Sequence, residues 1–591
     1  MPGALADTPA RAEVERWLDG FIAAAGSPDP KQFADLFVED GYWKDILAFT
    51  GTYRTFTTAT EIARAWQEQR AAVTPANVRM STDRTPPRLV RRSAKNLIEA
   101  YFDFDTAQGH ATAFVRLLAA RDGGNPKAWI LLTTLQSLHG HEECVGARRP
   151  SGVKYSQSFA GANWLDERTA ERRFEDRDPE VLVVGGGQGG LIIAARLRQM
   201  GVDTLVVEKL PRVGDNWRRR YHSLTLHNEV WANSLPYMPF PPTWPTFVPK
   251  DKLAAWLDSY AEAMELNVWT STEMTSARYN DATSTWTVQL RQDGSERTVR
   301  ARHLILAVGG STGNPNMPDL PGLDSFAGDV VHSSRFTSGV QYVGRHAIVI
   351  GAGTSGHDVA QDLYANGAAS VTMVQRGPTC VVSLVPSGTM VYAVYSEGPP
   401  PEDVDLITAA IPYQVLRETY QWLTNRTSEL DKDLLDGLRR VGFKLDFGPD
   451  NTGFHMMYLR RGGGYYIDVG CSALIADRKI ALLQAEDVTG FTAHGLTRTD
   501  GTMIPADLVV LATGYRNLQH AIAAMLGDDV AAKVGPVWGF NADHVMRNMW
   551  QRTAQPGLWI MGGSLIDARL YSKFLAVQVV ADLRDVALPQ L

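Results

Sequence analysis

Two glycine triplets carry the plainest chemistry in the sequence. Gly185, Gly187 and Gly190 directly follow the apolar run VLVV and open an apolar helix, and Gly351, Gly353 and Gly356 repeat the pattern after HAIVI. In a G-x-G-x-x-G turn the first glycine allows the tight bend and the second lets a pyrophosphate approach the backbone. The third lets helix and strand pack closely, and the helix N-terminus faces the phosphates. Gln188 lies in the first turn, and Thr354 and Ser355 lie in the second.

The residues that follow each turn differ in charge. Glu208, with Lys209 after it, ends the next strand about 20 residues beyond Gly185, a spacing at which a carboxylate reaches a ribose hydroxyl pair. The matching strand of the second unit ends in Gln375 and Arg376, and a guanidinium there pairs with a ribose 2′-phosphate that a carboxylate would repel. The first site therefore suits a dinucleotide without that phosphate, such as FAD, and the second suits NADPH. A solvated surface arginine is the plain alternative for Arg376.

Two dinucleotide sites imply an electron path from nicotinamide to flavin and on to an acceptor. Cys144, Cys380 and Cys471 stand far apart, so neither a redox-active pair nor a cysteine metal cluster is expected, and no metal is assigned. A quinone dehydrogenase would need a membrane-facing apolar surface, for which there is no clear candidate. Dioxygen is the remaining acceptor, used to oxygenate a substrate or reduced without transfer.

The elements that position these residues follow from the rest of the chain. At 591 residues it exceeds one hydrophobic core, and 58 Lys and Arg against 65 Asp and Glu leave it mildly acidic. Without a basic block, a nucleic acid or an anionic membrane is not expected as a partner. The start of the sequence has no apolar signal core, and no apolar run approaches the ~20 residues of a membrane span. A cytoplasmic protein is expected.

Residues 1–150 read as an N-terminal domain, with helix spacing in AEVERWLDGFIAAAG and KQFADLFVEDGYW and β-rich runs in LIEAYFDFDT, HATAFVRLLAA and KAWILLTTLQSL. A polar connection, 151–178, follows. Strand, glycine turn and helix then alternate in the grammar of a parallel sheet. The divisions are a FAD-binding domain at 179–337 and 511–591, interrupted by an NADPH-binding domain at 338–510 with a helical insertion near 385–460. The fold class is α/β, two Rossmann-like domains with one inserted in the other, preceded by an α+β domain.

Between the two glycine turns, SFAGDVVHSSRF places Phe326, Gly328, His332 and Phe336 at fixed offsets. The segment resembles the flavin-containing monooxygenase fingerprint F-x-G-x-x-x-H-x-x-x-[YF], and the related Baeyer–Villiger enzymes carry Trp where this chain has Phe336. RVGDNW with Asn216 and Trp217, HLILAVGG, and VVLATGY with Thr513, Gly514 and Tyr515 extend the resemblance to about two thirds of the chain. SLTLHN is similar to the family segment that ends beside the flavin, which maps to His227 and Asn228. Asn228 is also at the offset from Trp217 where a Baeyer–Villiger fingerprint carries Asp, and the Pro-Gly of that fingerprint is missing.

The resemblance implies that NADPH reduces FAD and that oxygen adds at flavin C(4a), one atom passing to a small organic substrate. A ketone, an amine or a sulfide fits, the protonated or anionic peroxide deciding which. Indole-pyruvate-type decarboxylation and an NADPH oxidase without oxygen transfer are the alternatives. Asn228 is the candidate catalytic residue, set against an asparagine that caps a turn. His332 is also a candidate, though a histidine that ties the linker is favoured over acid–base work.

Trp231, Tyr237, Phe240, Trp244 and Phe247 could line a pocket, but loop packing is the commoner fate of such aromatics. The N-terminal region resembles the cone-shaped fold of nuclear transport factor and SnoaL-like proteins, and long extensions of this kind resemble the second bacterial type of the family, which implies NADH as a further coenzyme beside NADPH and Baeyer–Villiger oxidation as an option. A small molecule near Trp43, Asp45 and His110 is weighed there against packing or a homodimer contact, and the latter is favoured.

Overall fold

Runs of consecutive buried residues, as in Val181–Val184, Thr204–Val207 and His303–Leu306, are what strands covered on both faces require. The computed structural model describes residues 9–118, 124–151, 159–309 and 315–590. It places these runs in a five-stranded parallel sheet ordered Asn267–Trp269, Thr204–Val207, Val181–Val184, His303–Leu306, Leu558–Ile560. A second five-stranded parallel sheet is ordered Asp329–His332, Leu508–Leu511, His346–Ile350, Ser370–Gln375, Ala481–Gln484. The chain leaves the first sheet after His303–Leu306 and returns for Leu558–Ile560, so the second unit is inserted in the first. Asp329–His332, which the sequence reading put in the first unit, belongs to the second sheet. Its exposed first half is that of an edge strand, and it pairs with Leu508–Leu511.

Residues 9–138 form a seven-stranded sheet, with the helices Pro9–Gly26, Pro30–Ala34 and Ala59–Val73 in the same unit. KQFADLFVEDGYW is not one helix. Helix Pro30–Ala34 stops, and Phe37–Ile46 is a strand that pairs in parallel with Lys127–Leu138, which buries Phe37 and Trp43. The interior is filled by aromatic rings, with Phe33 stacked on Trp66 at 4.3 Å and Trp43 edge-on to Phe49 at 5.2 Å. Trp43 donates Nε1 to Thr133 Oγ1 at 2.8 Å. The fully buried Asp45 accepts from the N–H groups of Phe49 and Thr50 and from the hydroxyls of Thr50 and Thr133. Both residues belong to the packed core, whereas His110 stands exposed at the sheet's end.

The connection read as irregular contains helix Trp164–Arg173 as well. Its sequence hides it because the helix buries little apolar surface. An Asn163–Asp166 capping box starts it, and Arg168 reaches Asn267 at 3.0 Å. Residues 152–158 of that connection lie outside the described residues. The insertion after the second glycine turn holds the helices Pro401–Ala409, Tyr413–Leu430, Lys432–Arg440 and Gly453–Arg461.

Helix Pro401–Ala409 joins the units. Asp403 accepts from Arg84 Nη1 at 2.7 Å and from Thr85 N and Oγ1 at 2.8 and 2.5 Å. Asp405, on the same helix, takes a two-pronged contact from Arg569 of the last helix, both bonds 2.7 Å. Arg569 also donates to the carbonyl of Ala232 at 3.0 Å, next to Asn233, whose amide donates to the Asn228 carbonyl at 3.1 Å. Asp403→Ala should lower stability by about 3 kcal/mol, because it leaves Arg84 and Thr85 facing a vacated, largely buried position. Chemical denaturation measures this, and an unchanged midpoint would mean that the contact contributes nothing.

Candidate active site

Each glycine turn is built by steric necessity. Gly185 has φ +108°, and a Cβ on Gly190 would lie 1.9 Å from the Gly185 carbonyl oxygen. Gly351 and Gly356 repeat both features, with φ +119° and a 2.1 Å approach. Gly187 and Gly353 sit at the N-termini of helices Gln188–Gln199 and Thr354–Ala365, so both helix starts face outward over the strand ends. Both turns border one cavity of about 2480 Å³ between the two sheets, which is large enough for two dinucleotides.

On the first side, Gln188 accepts from Trp217 Nε1 at 3.1 Å, and Glu208 is buried with its carboxylate on the N–H groups of Gly186 (2.7 Å) and Leu210 (2.8 Å). Lys209 and Asn216 line the same wall, and Asn216 Oδ1 is buried without a hydrogen-bond partner among the described residues. Such an orphan acceptor fits a ligand donor. A dinucleotide pyrophosphate fits the Gly187 turn, where an added Cβ would press on the Asn216 amide at 3.1 Å.

On the second side, Thr354 Oγ1 donates to the Tyr465 carbonyl at 3.0 Å, and Ser355 borders the cavity. Arg376 is exposed on the cavity wall and has no hydrogen bond or ion pair to a described residue, so it is a free guanidinium. Gln375 is not a ligand-facing residue. It is fully buried and turned away, donating to the Lys444 carbonyl at 2.9 Å and accepting from Lys444 N and Gln484. The alternation of a strand puts neighbours on opposite faces, so only one of the pair can look into the cavity. Arg335, also exposed on that wall, was not marked by any motif.

His332 is buried and engaged through both ring nitrogens. Nδ1 accepts from Ser334 N at 3.2 Å, which leaves Nε2–H to donate to the Gly514 carbonyl at 3.2 Å. Thr513 Oγ1 donates to the Asn316 carbonyl at 2.5 Å, and Tyr515 packs edge-on against His332 at 5.3 Å. His332 thus stitches the fingerprint to the TGY segment behind the cavity wall, while Ser333, Ser334 and Arg335 border the cavity itself. Gly328 permits the same close packing, since a Cβ there would lie 2.4 Å from the Asp507 carbonyl oxygen.

His227 and Asn228 line the cavity from strand Thr225–Glu229, which pairs antiparallel with Phe247–Pro249. Burial pushes the His227 imidazole down to about 4, so it is neutral near pH 7. Asn228 lines the cavity, and its Oδ1 is buried without a partner among the described residues. Phe247 is the one member of the aromatic cluster on the cavity wall. Phe240 and Trp244 stack on each other at 4.7 Å as loop packing, and Trp231 is exposed.

Several cavity residues escaped the sequence reading because they come from remote segments. Tyr458 donates to Asp567 at 2.7 Å, and burial pushes that carboxyl up. Asp358, bonded by the Tyr221 hydroxyl, is pushed up to about 6 by burial. Two of the three cysteines are buried, and burial pushes the Cys380 thiol up to about 12, so no thiolate is available at the cavity.

A family model described as pyridine nucleotide-disulphide oxidoreductase matches residues 182–386. Indole-3-pyruvate monooxygenase YUCCA1 of Oryza sativa subsp. japonica is 32% identical over 357 residues, 60% of this chain and 80% of that protein. The chain belongs to the class B flavin monooxygenases. It is accordingly an oxidoreductase enzyme. The fold of this monooxygenase is similar to that of oxidized steroid monooxygenase bound to NADP (TM-score 0.51, 21% identity, 69% of this chain and 85% of that one). It is also similar to ε-caprolactone-bound cyclohexanone monooxygenase (TM-score 0.50, 16% identity, 69% and 88%). No cysteine is among the residues that line the cavity.

The raised Asp358 sets a pH dependence. Its protonated form is favoured in the fold, so its stabilising contribution is complete below the usual carboxylate range near 4 and is lost as pH climbs through about 6. Asp358→Asn should remove that decline, gaining about 3 kcal/mol at pH 8 and little at pH 4. Thermal unfolding across pH measures this, and an equal effect at both ends would refute it.

Proposed function

We propose that this chain is an FAD- and NADPH-dependent monooxygenase that transfers one atom of dioxygen to a small organic substrate. The observation that carries the proposal is the pair of glycine turns opening on one cavity that also holds the unpartnered Oδ1 of Asn228 and no thiol. Bound flavin supplies the electron transfer and oxygen activation. The chain's own residues bind, orient and shelter.

Gly185, Gly187, Gly190 and Gln188 hold the pyrophosphate of FAD, and Glu208, Lys209, Asn216 and Trp217 flank its ribose and ring system. Gly351, Gly353, Gly356, Thr354 and Ser355 do the same for NADPH, with Arg376 on the 2′-phosphate. Thr513, Gly514 and Tyr515, fixed by His332, form the ledge between the two, so His332 is a positioning residue. Asn228 presents a neutral acceptor at Oδ1 that takes a hydrogen bond without adding charge. Neutral His227 beside it adds no charge either.

Residues 9–138 we read as the cone-shaped α+β class of nuclear transport factor and SnoaL-like proteins, here with a packed interior. Free, widely separated cysteines support a cytoplasmic setting. Ketone oxidation and N- or S-oxygenation are both accommodated. The similarity to YUCCA1 favours a second reading, decarboxylation of a 2-oxo acid.

A product screen with ketones, sulfides, amines and 2-oxo acids under heavy oxygen tests the proposal. One labelled atom in a product is expected, and stoichiometric hydrogen peroxide with no label in any product would overturn it. Arg376→Ala should weaken NADPH roughly 10- to 100-fold while leaving NADH nearly unchanged, and steady-state KM values for both coenzymes show whether the 2′-phosphate is placed correctly. Asn228→Ala should cut product formed per NADPH consumed by about 100-fold with flavin content unchanged, measured as coupling efficiency.

A further inference from the structure

The N-terminal unit carries a group of side chains that the oxygenase chemistry does not use. At the end of its sheet, donor atoms of His110, His139 and Glu142 lie within 4.8 Å of one another. They come from two adjoining places. His110 follows the turn between strands Lys95–Asp105 and Gly109–Leu118, and His139 and Glu142 follow strand Lys127–Leu138.

Each imidazole has its second nitrogen already committed. His110 Nδ1 donates to Asp105 Oδ1 at 2.6 Å, which leaves Nε2 free of a proton and 3.7 Å from Glu142 Oε1. His139 Nε2 donates to the Thr106 carbonyl at 3.0 Å, which leaves Nδ1 as its lone-pair nitrogen. The rings stand edge to face with centroids 4.9 Å apart. Glu142 Oε1 accepts the Gly140 N–H at 3.2 Å, which orients the carboxylate. Two imidazoles with oxygen-bonded back nitrogens and one oriented carboxylate are the donor set of a divalent transition metal, and such outer partners fix both tautomer and direction.

We propose that His110, His139 and Glu142 form a metal site suited to Zn²⁺, with water completing the coordination. Zinc bonds of about 2.0–2.1 Å need the donors drawn roughly 1 Å closer than they stand, which exposed rings achieve by small rotations. The absence of clustered cysteines argued against a metal in the sequence; the site uses none. Its location gives it a structural role. Glu143 pairs with Arg196 at 3.0 Å, and Cys144 N donates to the Gln199 carbonyl at 2.7 Å, both on the helix of the first glycine turn. The ion fastens the 106–109 turn to the strap that grips that helix.

The test uses untagged full-length protein with its cofactors bound, treated with a chelator, desalted and titrated with Zn²⁺ against a fluorescent zinc indicator. One equivalent per chain is expected, with the unfolding temperature rising on zinc addition. His110→Asn and the shape-preserving Glu142→Gln should each weaken zinc at least about 10-fold and abolish the temperature rise, while NADPH oxidation stays unchanged. Excess Mg²⁺ should not compete, because it prefers oxygen ligands. No zinc bound by the parent protein in the titration, or equal affinity in parent and variants, would overturn the proposal, as would displacement by Mg²⁺.

Discussion

Close contact between backbone and backbone at the two glycine turns is the constraint on which everything else rests. With only a hydrogen at Gly190 and Gly356, each helix starts tight against the strand that precedes it. The positive φ of Gly185 and Gly351 bends the chain sharply enough to aim the helix N-terminus out of the sheet. The two helix starts border a single void because the second sheet is inserted between the fourth and fifth strands of the first. Electrostatics then separates the two halves. A buried carboxylate bonded to backbone N–H groups marks one side, and an unpaired guanidinium marks the other.

The fingerprint segment acts on this arrangement indirectly. His332 spends both nitrogens on the fold, so its value lies in holding Thr513 to Tyr515 where the two units meet. A buried imidazole held neutral in this way is a rigid two-ended connector, and burial lowers its pKa accordingly. The Asn228 amide on the cavity wall is a neutral group as well.

The sequence made much of this legible because the information was local. Glycine spacing after an apolar run, a carboxylate at one strand end and an arginine at the other can each be read within about 30 residues. What escaped was set by distance or by alternation. Gln375 looked like a partner of Arg376, yet strand geometry turns it into the core to serve Lys444. Tyr458 meets Asp567, and Tyr221 meets Asp358, only through the tertiary fold, and no spacing announces them. KQFADLFVEDGYW misled because Phe33, Leu36 and Phe37 keep a helical spacing, and pairing of Phe37–Ile46 with Lys127–Leu138 ends it. Helix Trp164–Arg173 was hidden for the opposite reason, being held by charge and caps rather than by an apolar stripe.

Helix Pro401–Ala409 points two aspartates in different directions, Asp403 to the N-terminal unit and Asp405 to Arg569, whose guanidinium supports the loop behind Asn228. Truncation of the first 140 or so residues would therefore remove more than an appendage. It would bare a carboxylate that the fold has arranged to keep dry, and the disturbance would begin two residues from the strut under the Asn228 amide on the cavity wall.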